Sequence, residues 1–373
     1  MIYLDNAATG GFKPDCVISA ASAALKNSAN PGRSGHKLSV ACMERVFAAR
    51  KVISQFFGGY GYERTVFTKN CTEALNIAIF SLPKGGVVIS TVAEHNSVLR
   101  PLEYLKNQGV KVEYVPLNSE GDIDLSVLEN IVESNKGAVK AVVFTMASNV
   151  TGTSPDIDRV RQIVPDDCLL ICDGAQACGH VPINMKKTGI DALAVAGHKG
   201  MLGIQGSGVL LFSERFNPQP LIFGGTGSES YNLNMPDFYP DRLESGTLNF
   251  PAIVSLAEGT LYLSQHLTGH MAVTEKLTAQ TVDGLKRIDG VEIFSKPNPF
   301  GIVAFRLKNM QSEMAAFALS EEFDICVRGG LHCAPLIHKA LGSDGLVRTS
   351  FSAFTPPSAV AALINAVADL SGR

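Results

Sequence analysis

The sequence predicts a two-part α/β protein: a mostly parallel seven-stranded sheet with helices on both faces, then a smaller α+β unit. Three observations predict it. Between about residues 64 and 212, short apolar runs alternate with helical stretches, the pattern of a parallel sheet. Several runs are almost continuous in Val, Ile and Leu, as strands covered on both faces require. After about residue 250 the pattern changes to one long helical stretch, roughly 252–288, followed by short strands and helices.

The strand candidates come in order as RTVFT (64–68), GVVIST (86–91), VKVEYV (110–115), VKAVVFT (139–145), CLLIC (168–172), DALAVA (191–196) and GSGVLLF (206–212). Helical candidates lie between them at Thr72–Ser81, Ser97–Asn107, Leu125–Ser134 and Asp156–Val164. Only a short glycine-rich loop joins the last two strands. That is too little chain for a helical crossover, so this pair is expected to be antiparallel. Further on, GVEIF, GIVAFRL, ICVRG and LVRTSF read as strands of the second unit, and 357–371 as a closing helix. Residues 224–240, polar, glycine-rich and aromatic, read as a loop bordering a site.

Composition narrows the function. The chain has 373 residues, is 46% hydrophobic and carries a formal net charge of −3. It can bury a large core and lacks the basic excess that holds a nucleic-acid backbone. No apolar run reaches the roughly 18 residues of a membrane span, and the N-terminus lacks a signal-type pattern. The expectation is a cytoplasmic protein with no nucleic-acid or membrane partner. Eight cysteines are scattered without a C-x-x-C pair, which argues against a disulfide framework or a structural zinc.

Chemistry concentrates at strand ends. In DALAVAGHKGMLG (191–203), a buried strand delivers His198 and Lys199 to the ligand-binding edge of the sheet. A lone loop lysine is usually solvated. Upstream, however, LLICDGAQACGH (169–180) puts Asp173 at the end of another buried strand, where the plainer role is a helix cap. A desolvated lysine and a carboxylate at one edge suit pyridoxal phosphate, which needs a Schiff-base lysine and an acid beside its pyridine nitrogen. FTKNCTEALNIAIF (67–80) adds a strand, a polar turn and a helix start. There the backbone N–H groups near Cys71 and Thr72, with the Thr72 hydroxyl, suit a phosphate as well as a simple cap. His95, just after a strand, can stack on a flat ring or be an ordinary loop histidine. RGGLHCAPLIHKALG (328–342) puts Cys333 beside His332 in a glycine-bordered loop. Arg348, inside an apolar strand, is a natural carboxylate fork.

Together these stretches resemble the cysteine desulfurase and selenocysteine lyase family of aminotransferase class V, pyridoxal-phosphate enzymes of fold type I. The resemblance runs from YLDNAAT (3–9) and NPGRSGHKLS (30–39) through TKNCTEA, AEHNS, SNVTGT (148–153), DGAQ, AGHKG and ESGTLN (244–249) to GLHCAPL and VRTSF. Each motif is weak alone; their number and order carry the likeness. It implies Lys199 as the Schiff-base lysine and Asp173 as partner of the pyridine nitrogen. Gln176 is implied at the ring's phenolate oxygen, and Asn149 near that oxygen and the substrate. His95 is implied to stack on the ring and aid proton transfer. Thr72, the Cys71 backbone and His198 are implied to hold the phosphate, with Thr247 reaching the cofactor of a neighbouring subunit in a homodimer. Arg348 is implied to grip the substrate carboxylate and Cys333 to accept sulfur. The implied reaction is L-cysteine to L-alanine, with a persulfide left on Cys333 and a sulfur-acceptor protein as partner. Implied domains are 1–15 as an N-terminal segment near the small domain, 16–250 as the large cofactor-binding domain, and 251–373 as the small domain carrying the cysteine loop.

Four positions depart from the family's usual pattern: Ala196 replaces a hydroxyl residue, Cys71 stands where a hydroxyl is common, and Leu331 and Pro335 flank the cysteine loop in place of His and Gln. Selenocysteine lysis, cysteine-sulfinate desulfination and transamination are alternatives on the same scaffold. A metal site from His332, Cys333 and His338 lacks a zinc-like spacing, and a nicotinamide fold lacks its glycine fingerprint.

Overall fold

A computed structural model describes residues 1–373. The chain begins with β1 (Ile2–Tyr3), α1 (Asp15–Lys26) and α2 (Lys37–Phe56). It continues as β2 (Thr65–Thr68), α3 (Cys71–Phe80), β3 (Val87–Thr91), α4 (Asn96–Asn107) and β4 (Lys111–Val115). Next come α5 (Leu125–Ser134), β5 (Val139–Thr145), α6 (Ile157–Ile163), β6 (Leu169–Asp173), α7 (Met185–Thr188), β7 (Ala192–Ala196) and β8 (Gly208–Phe212). The 36-residue helix α8 (Phe250–Leu285) leads to β9 (Val291–Ile293), β10 (Ile302–Leu307), α9 (Ser312–Phe323) and β11 (Ile325–Cys326). The chain closes with α10 (Pro335–Ala340), β12 (Val347–Ser350) and α11 (Ser358–Ser371).

All seven expected strands join one sheet, in the order β2-β8-β7-β6-β5-β3-β4. From β7 to β4 every pair is parallel; β8 runs antiparallel to β7, as the short glycine-rich connection required, and also to β2. Period-two alternation sorts the side chains onto two cores. On β7, Leu193 and Val195 join one core, while Ala192, Ala194 and Ala196 face the other with α3. Three alanines on that face let α3 pack close, which brings the start of α3 beside the end of β7.

Strand order reverses around β3 and β5. From there the chain moves outward to β4 in one direction and through β6 and β7 in the other. The carboxyl ends beside such a reversal open a crevice. A third apolar core, with Leu4, Phe305, Leu319 and Leu363, lies under the antiparallel sheet β12-β10-β9. The N-terminus joins this region: β1 pairs with β11, and Asp5 bridges to Ser350. No helix is long and apolar enough to cross a membrane.

Candidate active site

The crevice at the strand ends is a cleft of about 90 Å³. It brings together eight residues singled out from the sequence: Cys71, Thr72, His95, Asn149, Asp173, Gln176, His198 and Lys199. They come from the ends of five strands, or from the few residues after them: Cys71 and Thr72 follow β2, His95 follows β3, Asn149 follows β5, Asp173 and Gln176 come from β6, and His198 and Lys199 follow β7.

Lys199 follows β7 through a turn that tolerates little bulk. A Cβ on Gly197 would collide with the Ser207 hydroxyl, and one on Gly200 would lie 2.5 Å from the Cys178 carbonyl. Burial pulls the Lys199 amine below its ordinary value, with Asp173 opposing, and no carboxylate pairs with it. Asp173 ends β6 and is 2% exposed. Its Oδ1 accepts from the Ala175 N–H at 2.9 Å and from the Cys71 thiol at 3.5 Å. Oδ2 accepts no protein hydrogen bond, and no cation pairs with the carboxylate.

At the other end of the cleft, α3 starts with an Asn70 cap that accepts from the Glu73 N–H, while Glu73 reaches back to the Lys69 N–H. The first-turn N–H groups of Cys71 and Thr72 have no intrahelical acceptor, and the Thr72 hydroxyl shares their face of the cleft. This donor set fits pyridoxal phosphate: free N–H groups for the phosphate, an amine for the aldehyde, and a bare carboxylate oxygen for the ring nitrogen. Ala196, on the α3 side of β7, adds no hydroxyl to it.

His95 caps α4. Its Nδ1 accepts from the Ser97 N–H at 3.0 Å, which leaves the proton on Nε2 of a neutral ring. Burial holds His95 below its ordinary value. Capping and cleft-lining are thus one placement. His198 is pushed down to about 4, first by burial and then by Lys199. Its Nδ1 lies 3.0 Å from the Thr9 hydroxyl. Lys13, not anticipated from the sequence, donates to the His198 carbonyl at 3.1 Å, and burial lowers it to about 8. Gln176 gives one amide hydrogen to the Ala7 carbonyl at 3.0 Å.

Asn149 links the cleft to the cysteine loop. Its amide donates to the His332 carbonyl at 2.8 Å, and its own carbonyl accepts from Arg348 at 3.0 Å. Arg348 is 1% exposed, pairs with Asp5 at 2.7 Å and keeps an Nε–H without an acceptor. Cys333 lies in a tight turn closed by the Ala334 N–H on the Leu331 carbonyl at 2.9 Å. Both central residues are left-handed, His332 at φ 52° and Cys333 at φ 57°, a conformation that costs non-glycine residues about 1–2 kcal/mol each. Contacts from the sheet side hold it: besides Asn149, the Asn96 N–H donates to the Cys333 carbonyl at 2.7 Å. From below, the His332 Nε2–H donates to the Arg328 carbonyl at 3.2 Å. The Cys333 thiol itself is exposed, with the Arg328 guanidinium 3.9 Å from Sγ.

Cys333 and Arg348 do not line the cleft and are joined to it through Asn149, and two further expected participants lie away from it. Thr247 is exposed, on the wall of a separate groove. The 224–240 loop does not border the cleft; it is a surface loop with Tyr231 and Leu233 fully exposed. Besides Lys13, the sequence did not single out Arg328 or Glu94. Arg328 carried a signal, a lone arginine five residues before Cys333. Glu94 carried none beyond standing next to His95. It is fully buried, with Oε1 accepting from the Thr91 hydroxyl at 2.6 Å and the Thr145 N–H at 2.9 Å.

Comparison with known proteins agrees with this geometry. A sequence model of the family Aminotransferase class-V matches residues 2–363. A probable cysteine desulfurase of Pyrococcus abyssi is 32% identical, over 99% of this chain and 94% of that protein. One from Methanothermobacter thermautotrophicus is also 32% identical, over 100% of this chain and 95% of its own. Among solved structures, an apo cysteine desulfurase from Thermococcus onnurineus NA1 superposes with a TM-score of 0.89 at 30% identity, covering 100% of this chain and 94% of the other. A cysteine desulfurase of Escherichia coli, in an S-sulfonic acid form, gives 0.87 at 28% identity, covering 99% and 94%.

Proposed function

This chain belongs to the class V aminotransferases, among their cysteine desulfurases, and from that premise we propose how its own residues divide the work. The enzyme is pyridoxal-phosphate dependent and converts L-cysteine to L-alanine, passing the sulfur to Cys333. The observation that carries the assignment is the pairing of a bare Asp173 oxygen and an unpaired Lys199 amine in one cleft, with a strained, exposed thiol tied to its rim.

When bound, the cofactor would capture the substrate amine and spread the negative charge that builds on carbon. Thr72, the Cys71 N–H and His198 would hold its phosphate, and Asp173 Oδ2 would accept from its ring nitrogen. Gln176 and Asn149 would address the ring's oxygen, and the neutral His95, with its proton on Nε2, would lie against the ring. Lys199, whose amine burial makes easier to deprotonate, accepts and returns a proton at the substrate Cα. Arg348 offers its free N–H groups to the substrate carboxylate, while Asp5 and the Asn149 carbonyl orient its plane. The Cys333 thiolate, faced by Arg328, attacks the substrate Sγ. An S–S bond forms as the Cβ–Sγ bond breaks; its electron pair stays with Cβ, which is then protonated to give alanine.

The same reading makes the active form a homodimer, with the exposed Thr247 reaching the phosphate held by a second copy. Residues 16–250 act as the cofactor-binding domain and 251–373 as the small domain carrying Cys333, with 1–15 packed near the latter. The Cys333 turn is anchored through Asn96 and Asn149, so a persulfide has little freedom to swing, and an acceptor protein must come to it. Eight unpaired cysteines suit a reducing, cytoplasmic setting.

The test is made on protein loaded with pyridoxal phosphate, given L-cysteine and a reductant. Equimolar alanine and sulfide are expected, and Cys333→Ala should lose both while keeping the absorbance of bound cofactor. Undiminished turnover in Cys333→Ala would overturn the sulfur-accepting role.

A further inference from the structure

We infer that the Cys71 thiol is a positioning residue for the Asp173 carboxylate, fixing which of its two oxygens faces the pyridine nitrogen. The inference rests on the cofactor reading above and goes beyond it, because there Cys71 supplies only a backbone N–H.

Cys71 is the first residue of α3, and its main chain faces the phosphate end of the cleft. Its side chain goes the other way. Sγ lies 3.5 Å from Asp173 Oδ1, and the two residues are 7% and 2% exposed. The Ala175 N–H reaches the same oxygen at 2.9 Å. Two donors from different elements therefore converge on Oδ1, and none reaches Oδ2. A carboxylate is otherwise symmetric and free to turn about its Cβ–Cγ bond; unequal donors on its oxygens remove that freedom. The arrangement leaves Oδ2 bare toward the cleft, the atom a ring N–H needs.

A thiol suits this task. Burial, reinforced by the Asp173 charge, pushes Cys71 well above its ordinary value, so it remains an S–H donor throughout the working pH range. It brings no charge of its own, so it orients the carboxylate without forming the ion pair that would compete with the ring nitrogen.

The experiment measures pyridoxal phosphate binding by titration, with the absorbance spectrum of the bound cofactor, in native protein, Cys71→Ala, Asp173→Asn and the double variant. Cys71→Ala should weaken binding about 3- to 10-fold, the effect of one hydrogen bond, and shift the spectrum of the bound ring. In the Asp173→Asn background it should change binding less than about 2-fold, because the partner through which it acts is gone. Where Asp173→Asn binds too weakly to read, pyridoxal without its phosphate replaces it as probe, and Cys71→Ala should weaken that ligand by the same factor. Equal losses in both backgrounds, a loss confined to the phosphorylated ligand, or no loss at all would overturn the inference. Native protein that binds no cofactor would overturn the functional reading and this inference with it; normal native binding with an unaltered Cys71→Ala removes this inference alone.

Discussion

The Asp173–Lys199 cleft and the Cys333 turn hold reactive groups in opposite ways. In the cleft, each group stands at the end of a strand buried on both faces, and burial alters the chemistry of what it holds: an amine lowered, a thiol raised, a carboxylate left without a cation. At the turn, an exposed sulfur sits on two left-handed residues held from outside by Asn96 and Asn149. The cleft needs fixed geometry to orient a flat ring. Under the proposed function, the turn needs a thiol that meets the substrate and afterwards presents its sulfur to a partner. Rigidity comes from strands, and accessibility from a turn that the remainder of the fold holds in a costly conformation.

The sharpest way to break the comparison is to loosen the rigid side. Arg50 and Glu244 form a buried ion pair beside β2; Glu244 also accepts from the Phe67 N–H, and Arg50 donates to the Thr65 carbonyl. Arg50→Ala strands a buried carboxylate and should cost about 3–5 kcal/mol of stability in chemical denaturation. A loss under about 1 kcal/mol would show that the sheet edge does not depend on this pair.

A middle-sized effect comes from Glu94, which burial raises to about 8. The folded protein keeps this proton to about pH 8, whereas an unfolded chain releases it near about 4.3. Folding therefore binds the extra proton in that window, and this contribution to stability declines as pH rises through it. His198 and His180, each held at about 4 chiefly by burial, act in the other direction, weakening the fold as pH falls from about 6.5 toward 4. Melting curves of cofactor-free protein from pH 5 to 8 should show Glu94→Gln gaining on the native chain as pH rises. Parallel curves would mean that Glu94 is ionised in the fold.

The smallest effect sharpens the other side. His332→Gly removes a side chain from a left-handed position and loosens the turn. Capture of Cys333 by iodoacetamide should quicken about 2- to 5-fold, the scale of a glycine's backbone freedom, with cofactor affinity unchanged. A matching loss of cofactor affinity would mean that the turn and the cleft are one rigid unit.

Lys199, Asp173 and His95 were legible in the sequence because a short apolar run followed by a polar residue determines both the strand and what stands at its end. The antiparallel β8 was legible because loop length limits connection. Glu94, Arg328 and the Asp5–Arg348 pair were less so, since a charged residue in a one-dimensional pattern looks the same whether it faces water or a neighbour distant in the chain. The 224–240 loop was legible only as a loop: glycines and aromatics do not say which end of the sheet it lies over.

By itself, then, the sequence determined the seven-stranded sheet, the edge at which chemistry collects and the residues delivered there, because strand period and strand length are local properties of the chain. Only the tertiary structure decided that the Cys71 side chain turns to Asp173 rather than to the phosphate, that Asn149 ties the cleft to the cysteine turn, and that His332 and Cys333 are left-handed. Those outcomes depend on contacts between segments about 100 to 200 residues apart, and such contacts exist only after the sheet has brought their ends together.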